Sequence, residues 1–159
     1  MKFTTSALFA VALALPARAE LPIHHDLPQA LAVTLAQAAI DACVAKGYPE
    51  SAVVVNASGE TIAAIRGDGS APHTLENARR KAYTAMSFRL STTEYAKRFA
   101  DNNPVVRQQV TLPNIIAIPG GLPIKLGSEV IGGIGASGSP GVDEPCVQAA
   151  LDKVAAQLK

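Results

Sequence analysis

The stretch Pro119-Gly120-Gly121-Leu122-Pro123-Ile124-Lys125-Leu126, then Gly127-Ser128, then Glu129-Val130-Ile131-Gly132-Gly133-Ile134-Gly135-Ala136-Ser137-Gly138-Ser139-Pro140-Gly141, decides the fold. Two apolar runs flank a Gly-Ser dipeptide, the signature of a turn that closes an antiparallel strand pair. Strands normally avoid glycine, which loses entropy on ordering and offers no side chain to pack. Gly132, Gly133 and Gly135 in the second strand therefore imply that something lies close against that backbone: a helix, a partner subunit or a flat ligand.

Working outward, the chain is 159 residues long, enough for one domain with a real core. Its residues are 48% hydrophobic but only 4% aromatic, with no Trp, so the core must be built from Ala, Val, Ile and Leu. A formal net charge of +1 gives no electrostatic reason to expect nucleic acid or an anionic membrane surface. Residues 1–19 read as a secretory signal. Lys2 gives the positive start, Phe3 to Leu15 the apolar run, and Ala17-Arg18-Ala19 the small-x-small cleavage site. That run is short of the roughly 20 residues of a membrane span. The expectation is a mature chain beginning at Glu20, periplasmic or secreted, with no membrane span of its own. In an oxidising compartment the only two cysteines, Cys43 and Cys146, are expected to form a disulfide. The alternative is two separate buried thiols.

Residues 20–27 form a short leader, and a single domain is expected over 28–159. The first helix is expected from about Pro28 to Lys46, stopped by Gly47, with Leu31, Leu35, Ala38 and Ala42 on one face. Ala52-Val53-Val54-Val55 and Glu60 to Arg66 read as a strand pair turning at Asn56-Ala57-Ser58-Gly59. A helix follows over about Thr74 to Leu90. Ser91-Thr92-Thr93-Glu94 is a capping-box match opening a short helix to about Ala100. Residues 101–114 are expected to be loop or fraying helix, Ile115 to Ile118 a third strand, and the glycine hairpin strands four and five. Asp143 is read as the cap of a last helix, Glu144 to Leu158. Hairpin-linked strands between helices argue for an α+β fold with a mostly antiparallel five-stranded sheet.

Gly133-Ile134-Gly135-Ala136-Ser137-Gly138 matches G-x-G-x-x-G, but no helix opens on the third glycine and no acidic residue follows at the required distance, so a dinucleotide site is rejected. Gly135 to Ser139 lacks the second glycine of a nucleophile elbow. Arg66-Gly67-Asp68 is too short a match to carry weight. The more chemical stretch is His73 through Lys81. Arg79, Arg80 and Lys81 are consecutive and cannot share one helical face, so at least one should point toward the sheet edge or a ligand. Arg can grip a carboxylate with two bonds, and Lys as a point charge; the competing reading is a solvated face. His73 is a candidate metal or haem ligand, or merely a residue at a helix start. Tyr83 either lines the same surface or packs.

The ordered set of Val53-Val54-Val55 with Gly59, Arg66-x-Asp68-Gly69, Ala78-Arg79-Arg80-Lys81-Ala82-Tyr83-Thr84-Ala85, Pro119-Gly120-Gly121-Leu122-Pro123-Ile124, and Val130-Ile131-Gly132-x-Ile134-Gly135-x-Ser137-Gly138 with Asp143-Glu144 resembles the GlcG/HbpS-like family over about Pro28 to Leu158. The resemblance implies a profilin-like α-β-α sandwich, a homo-oligomer, and haem as the cofactor, since characterised members bind it. It implies a slot along Gly132 and Gly133, with Arg79, Arg80 or Lys81 for the propionates. His73 is the implied axial ligand, with Tyr83 and Met86 in reserve. The function this supports is an exported haem- or tetrapyrrole-binding protein for binding, storage or sensing, without turnover. Two alternatives stand beside it. One is an enzyme on a small carboxylate-bearing metabolite, with Arg79 or Lys81 as its anchor and His73 as base. The other is a ligand-free oligomeric interaction module.

Overall fold

The computed structural model describes residues 21–159; the signal peptide expected over 1–19 lies outside them. Five helices and four strands follow in the order α1 (Gln29–Val44), β1 (Ser51–Asn56), β2 (Thr61–Arg66), α2 (Thr74–Phe88), α3 (Thr92–Ala100), α4 (Pro104–Gln109), β3 (Gly121–Leu126), β4 (Glu129–Ser137) and α5 (Asp143–Val154). The sheet is antiparallel throughout, in the order β2-β1-β4-β3. The glycine stretch folds as its pattern requires: Leu126 pairs with Glu129 across a turn in which Gly127 takes φ +57°.

Helices α1 and α5 cover one face of the sheet and α2 the other, giving an α-β-α sandwich. Strand β1 is buried on both sides, which is why it reads as an unbroken apolar run. Ala52 and Val54 meet Leu35, Ala39 and Val147, whereas Val53 and Val55 meet Ala78 and Ala82 of α2. Strand β4 alternates in the same way, turning Ile134 and Ala136 toward α1 and α5 and Gly133 and Gly135 toward α2. A Cβ on Gly133 would stand 2.3 Å from the Ala82 carbonyl oxygen, and one on Gly121 in the neighbouring strand 2.5 Å from that of Lys81. The body lying against the bare strand is therefore the protein's own helix, not a cofactor or a sister protomer.

The sheet has four strands where the sequence pattern suggests five. Residues 115–118 form no strand; Ile115 and Ile116 are buried, but backbone groups of both are satisfied from α2. The Ile116 N–H donates to Thr84 Oγ1 at 3.0 Å, and the Ile115 carbonyl accepts from Arg80 at 2.5 Å. Side chains of a helix thus take the place of a neighbouring strand. Of the segment expected over 101–114 to be loop or fraying helix, Pro104–Gln109 is helix α4, capped by Asn103, whose side-chain oxygen accepts from the N–H groups of Val105 and Val106.

Cys43 in α1 and Cys146 in α5 form a disulfide with a Cα–Cα separation of 5.5 Å. At the other end of the same helix pair, Pro28 and Leu31 share a groove with Gln157 and Leu158, so the domain begins and finishes side by side. The leader is tied down. Leu27 is buried in the core, and His25 donates its N–H to Glu129 at 3.1 Å and places Nδ1 2.7 Å from the same carboxylate.

Candidate functional site

The first turn of α2 and the loop that enters α5 meet over the C-terminal end of β4. Between them lies a cleft of about 360 Å³ lined by His73, Asn77, Lys81, Ser137, Gly138 and Asp143, among others. Neither bordering helix has a side-chain cap at its N-terminus. The cap expected from Asp143 is replaced by another role. Asp143 is the first residue of α5, and its Oδ1 accepts from the Ser139 N–H at 2.8 Å, closing the loop beside the cleft. Its Oδ2 accepts from Lys81 Nζ at 2.6 Å, and Lys81 donates again to the Ala136 carbonyl at 2.9 Å. Both side chains are almost wholly buried.

A third titratable residue, Glu50, lies behind Gly138 and outside the lining of the cleft. Glu50 stands one position before β1, and the pairing of Ser51 with Ser137 carries it alongside Gly138. Its side chain is fully buried, and neither carboxylate oxygen has a hydrogen-bond partner among the described residues. A Cβ on Gly138 would stand 3.2 Å from Glu50 Oε2, so only bare backbone separates this carboxyl from the cleft. Burial, reinforced by the Asp143 charge and opposed by Lys81, pushes the Glu50 carboxyl up to about 8. At neutral pH Glu50 is therefore mostly protonated, the form in which a buried carboxyl without a hydrogen-bond partner costs least.

Of the sequence-derived candidates, His73 and Lys81 share this cleft. His73 is exposed, and its ring has no hydrogen-bond partner among the described residues. Among them, too, no group of three or more His, Cys, Asp or Glu side chains is arranged to hold a metal ion, so His73 has no companion for a bare metal. Arg79 lies in a separate shallow groove of about 280 Å³, floored by Val53, Ala64 and Leu75. There it holds Glu76 with two bonds of 2.8 Å and Asn114 with a third. That grip keeps the Glu76 carboxyl below its usual range.

The remaining candidates do not join the site. Arg80 is spent on the Ile115 carbonyl, and Tyr83 packs in the satellite cluster around Tyr95, against Gly59. Gly132 and Gly133 are buried, the first beneath Leu27 and the Val55 carbonyl, the second beneath Ala82 and Met86. No slot for a flat ligand exists at these two glycines, because the Val55 main chain and Leu27 fill the space at Gly132 and the backbone of α2 fills it at Gly133. Glu50 and Asp143 are the residues that sequence reasoning missed as site components. Glu50 meets its partners only through sheet register, which no local pattern reports. The one available signal was the consecutive Arg79-Arg80-Lys81, of which one side chain had to turn inward; that one is Lys81.

With this geometry in place, comparison with known proteins gives the family. Residues 27–152 match the family described as haem degrading protein HbpS-like, and the chain belongs to it. Among solved structures, HbpS is similar at 34% identity, covering 88% of this chain and 99% of its own, with a TM-score of 0.78. The Klebsiella pneumoniae protein ORFY is similar at 26% identity, covering 89% and 98%, with a TM-score of 0.79. The structure titled as a PduOC–haem complex shares the fold at 22% identity, covering 80% and 94%, with a TM-score of 0.73. No curated protein matches at a comparable level of significance.

Proposed function

We propose that this chain is an exported haem- or tetrapyrrole-binding protein that acts in binding, storage or sensing, with His73 as the iron ligand and Arg79 as the propionate anchor. The observation that carries the reading is the exposed imidazole of His73, which lines the cleft without a hydrogen-bond partner among the described residues and directly follows Pro72, a residue of the apolar groove that Arg79 borders. Haem needs an apolar seat, a cation for its propionates and an axial donor. Val53, Ala64 and Leu75 offer the seat, Arg79 the cation and His73 the donor. Family membership and a haem complex of the same fold support the choice of ligand. When bound, the group would supply a redox-active iron; the chain would supply its orientation and the partial exclusion of water. The groove is shallow, so a second copy of the chain would cover the exposed face of the ring. This is the reason to expect a homo-oligomer.

Titrating haemin into the mature protein tests this. A saturable Soret band is expected, shifted in His73→Ala and weaker in affinity in Arg79→Ala, with light scattering reporting assembly. A flat spectrum at micromolar haemin rejects the proposal. A band that forms and then bleaches in the presence of a reductant rejects the absence of turnover and favours haem degradation.

A further inference from the structure

The satellite cluster around Tyr95 encloses a cavity that the tetrapyrrole reading leaves unused. Helix α3 starts on the Ser91 cap, and its Tyr95 and Phe99, four residues apart, lie on one face. They pack with Phe88 at the end of α2, Leu90 just beyond it, and Val106 of α4. Where these elements meet they leave about 230 Å³, lined by Phe88, Leu90, Tyr95, Arg98, Asn103 and Val106 among others. The cavity shares no lining residue with the His73 cleft or the Arg79 groove. Its volume falls below the usual range of ligand sites, which suits a molecule of one ring.

Tyr95 sets the chemistry of the space. The residue is only 1% exposed, and its hydroxyl has no hydrogen-bond partner among the described residues. Native cores seldom leave a buried hydroxyl unpaired, because its lost hydration is then not replaced. Burial pushes the phenol further above its ordinary range, so at neutral pH it keeps an O–H to donate. The one charged residue of the lining, Arg98, is already paired with Glu94. The Asn103 side-chain oxygen accepts from the Val105 and Val106 N–H groups at 3.1 and 3.2 Å, which leaves its NH2 as a second donor. Two donors, apolar walls and a neutralised cation therefore surround the space.

We propose that this cavity binds a small neutral aromatic molecule carrying one hydroxyl or carbonyl oxygen, which accepts from the Tyr95 hydroxyl. Phe88 and Tyr95, stacked with ring centroids 4.7 Å apart, supply aromatic contact for such a ring. A charged ligand is disfavoured, because it would lose hydration beside a guanidinium whose charge Glu94 already answers. A purely apolar ligand would leave the hydroxyl orphaned, so the oxygen decides selectivity.

The test is a titration of the full mature protein with phenol, followed by its backbone amide NMR shifts. Toluene serves as the match of equal size without the oxygen, and benzoate as the charged ring. Phenol binding is expected to saturate, with the largest shifts in α3 and α4. It should be at least about fivefold tighter than that of toluene or benzoate, the worth of one net hydrogen bond. Tyr95→Phe keeps the stacked ring and removes the donor, so phenol should lose that advantage while toluene binds as before. The wild-type comparison of phenol with toluene decides the matter even if that variant folds poorly. No saturable phenol binding, shifts confined to other elements, equal affinity for toluene or a preference for benzoate would each overturn the proposal. So would unchanged phenol affinity in a folded Tyr95→Phe, which would leave a buried water as the hydroxyl's partner.

Discussion

A Cβ on Gly135 would stand 2.2 Å from the Ala78 carbonyl oxygen, so strand β4 and helix α2 touch through bare backbone. No real Cβ contact is that short, and the obstacle is main chain, which cannot swing aside. Gly135→Ala is therefore expected to lower stability by about 1–3 kcal/mol or more, read from the midpoint of urea unfolding. Gly127→Ala is the control. Nothing lies within 4 Å of its Cβ position, so its cost is only that of φ +57°, roughly 1 kcal/mol. Equal losses at the two positions would contradict the packing argument.

Tyr95 is buried and stacked on Phe88 with ring centroids 4.7 Å apart, yet its hydroxyl has no partner among the described residues. Tyr95→Phe keeps the stacking and removes an unsatisfied polar atom. It should be neutral or stabilise by up to about 1 kcal/mol. A clear drop in thermal midpoint would reveal a partner for that oxygen.

The disulfide joins residues 103 apart in sequence. In the chain-entropy account a loop of that size contributes up to roughly 4 to 5 kcal/mol, and less in practice. Reduction, or the Cys43→Ala and Cys146→Ala pair, should lower the thermal midpoint markedly while leaving the far-ultraviolet circular dichroism of the folded state unchanged.

Removing one partner of the buried Lys81–Asp143 pair strands the other. Lys81→Met alone should cost about 3–5 kcal/mol, and adding Asp143→Leu should restore part of it. Additive losses in the double variant would show that the two residues do not depend on each other.

Glu50 gives stability a definite pH dependence. Its folded value of about 8 lies above the usual 4.5, so the native state holds a proton that the unfolded chain releases between those limits. Stability is then fully present below about 4.5 and declines as pH rises toward 8, by an amount on the order of a few kcal/mol. Urea midpoints measured from pH 5 to pH 9 should fall in the wild type and stay nearly level in Glu50→Gln. A rising profile would contradict the assignment.

Much of the sandwich was legible because local patterns encode it. The Val53-Val54-Val55 run announced a strand buried on both faces, Gly127-Ser128 announced the turn, and the shared apolar helix faces brought Cys43 to Cys146. What failed needed tertiary knowledge. Ile115 and Ile116 carry strand-like residues, but Arg80 and Thr84 answer their backbone from a helix, and sequence spacing does not distinguish the two partners. Gly132 and Gly133 signalled a close neighbour correctly, yet glycine cannot say whether that neighbour is a ligand or the chain itself. Lys81 read as one of three cations of which at least one had to turn toward the sheet or a ligand, and Asp143 as a helix cap. Their pairing is set by how α2 and α5 lie on the sheet, a relation 62 residues long.

The shared groove of Pro28 and Leu31 with Gln157 and Leu158 has an engineering corollary. A short linker could join residue 158 to residue 27, and the ring so formed could be reopened at the solvent-exposed Gly127–Ser128 step. Such a circular permutant would keep every layer of the sandwich, and the same adjacency would let this domain be spliced into a host loop without straining either protein.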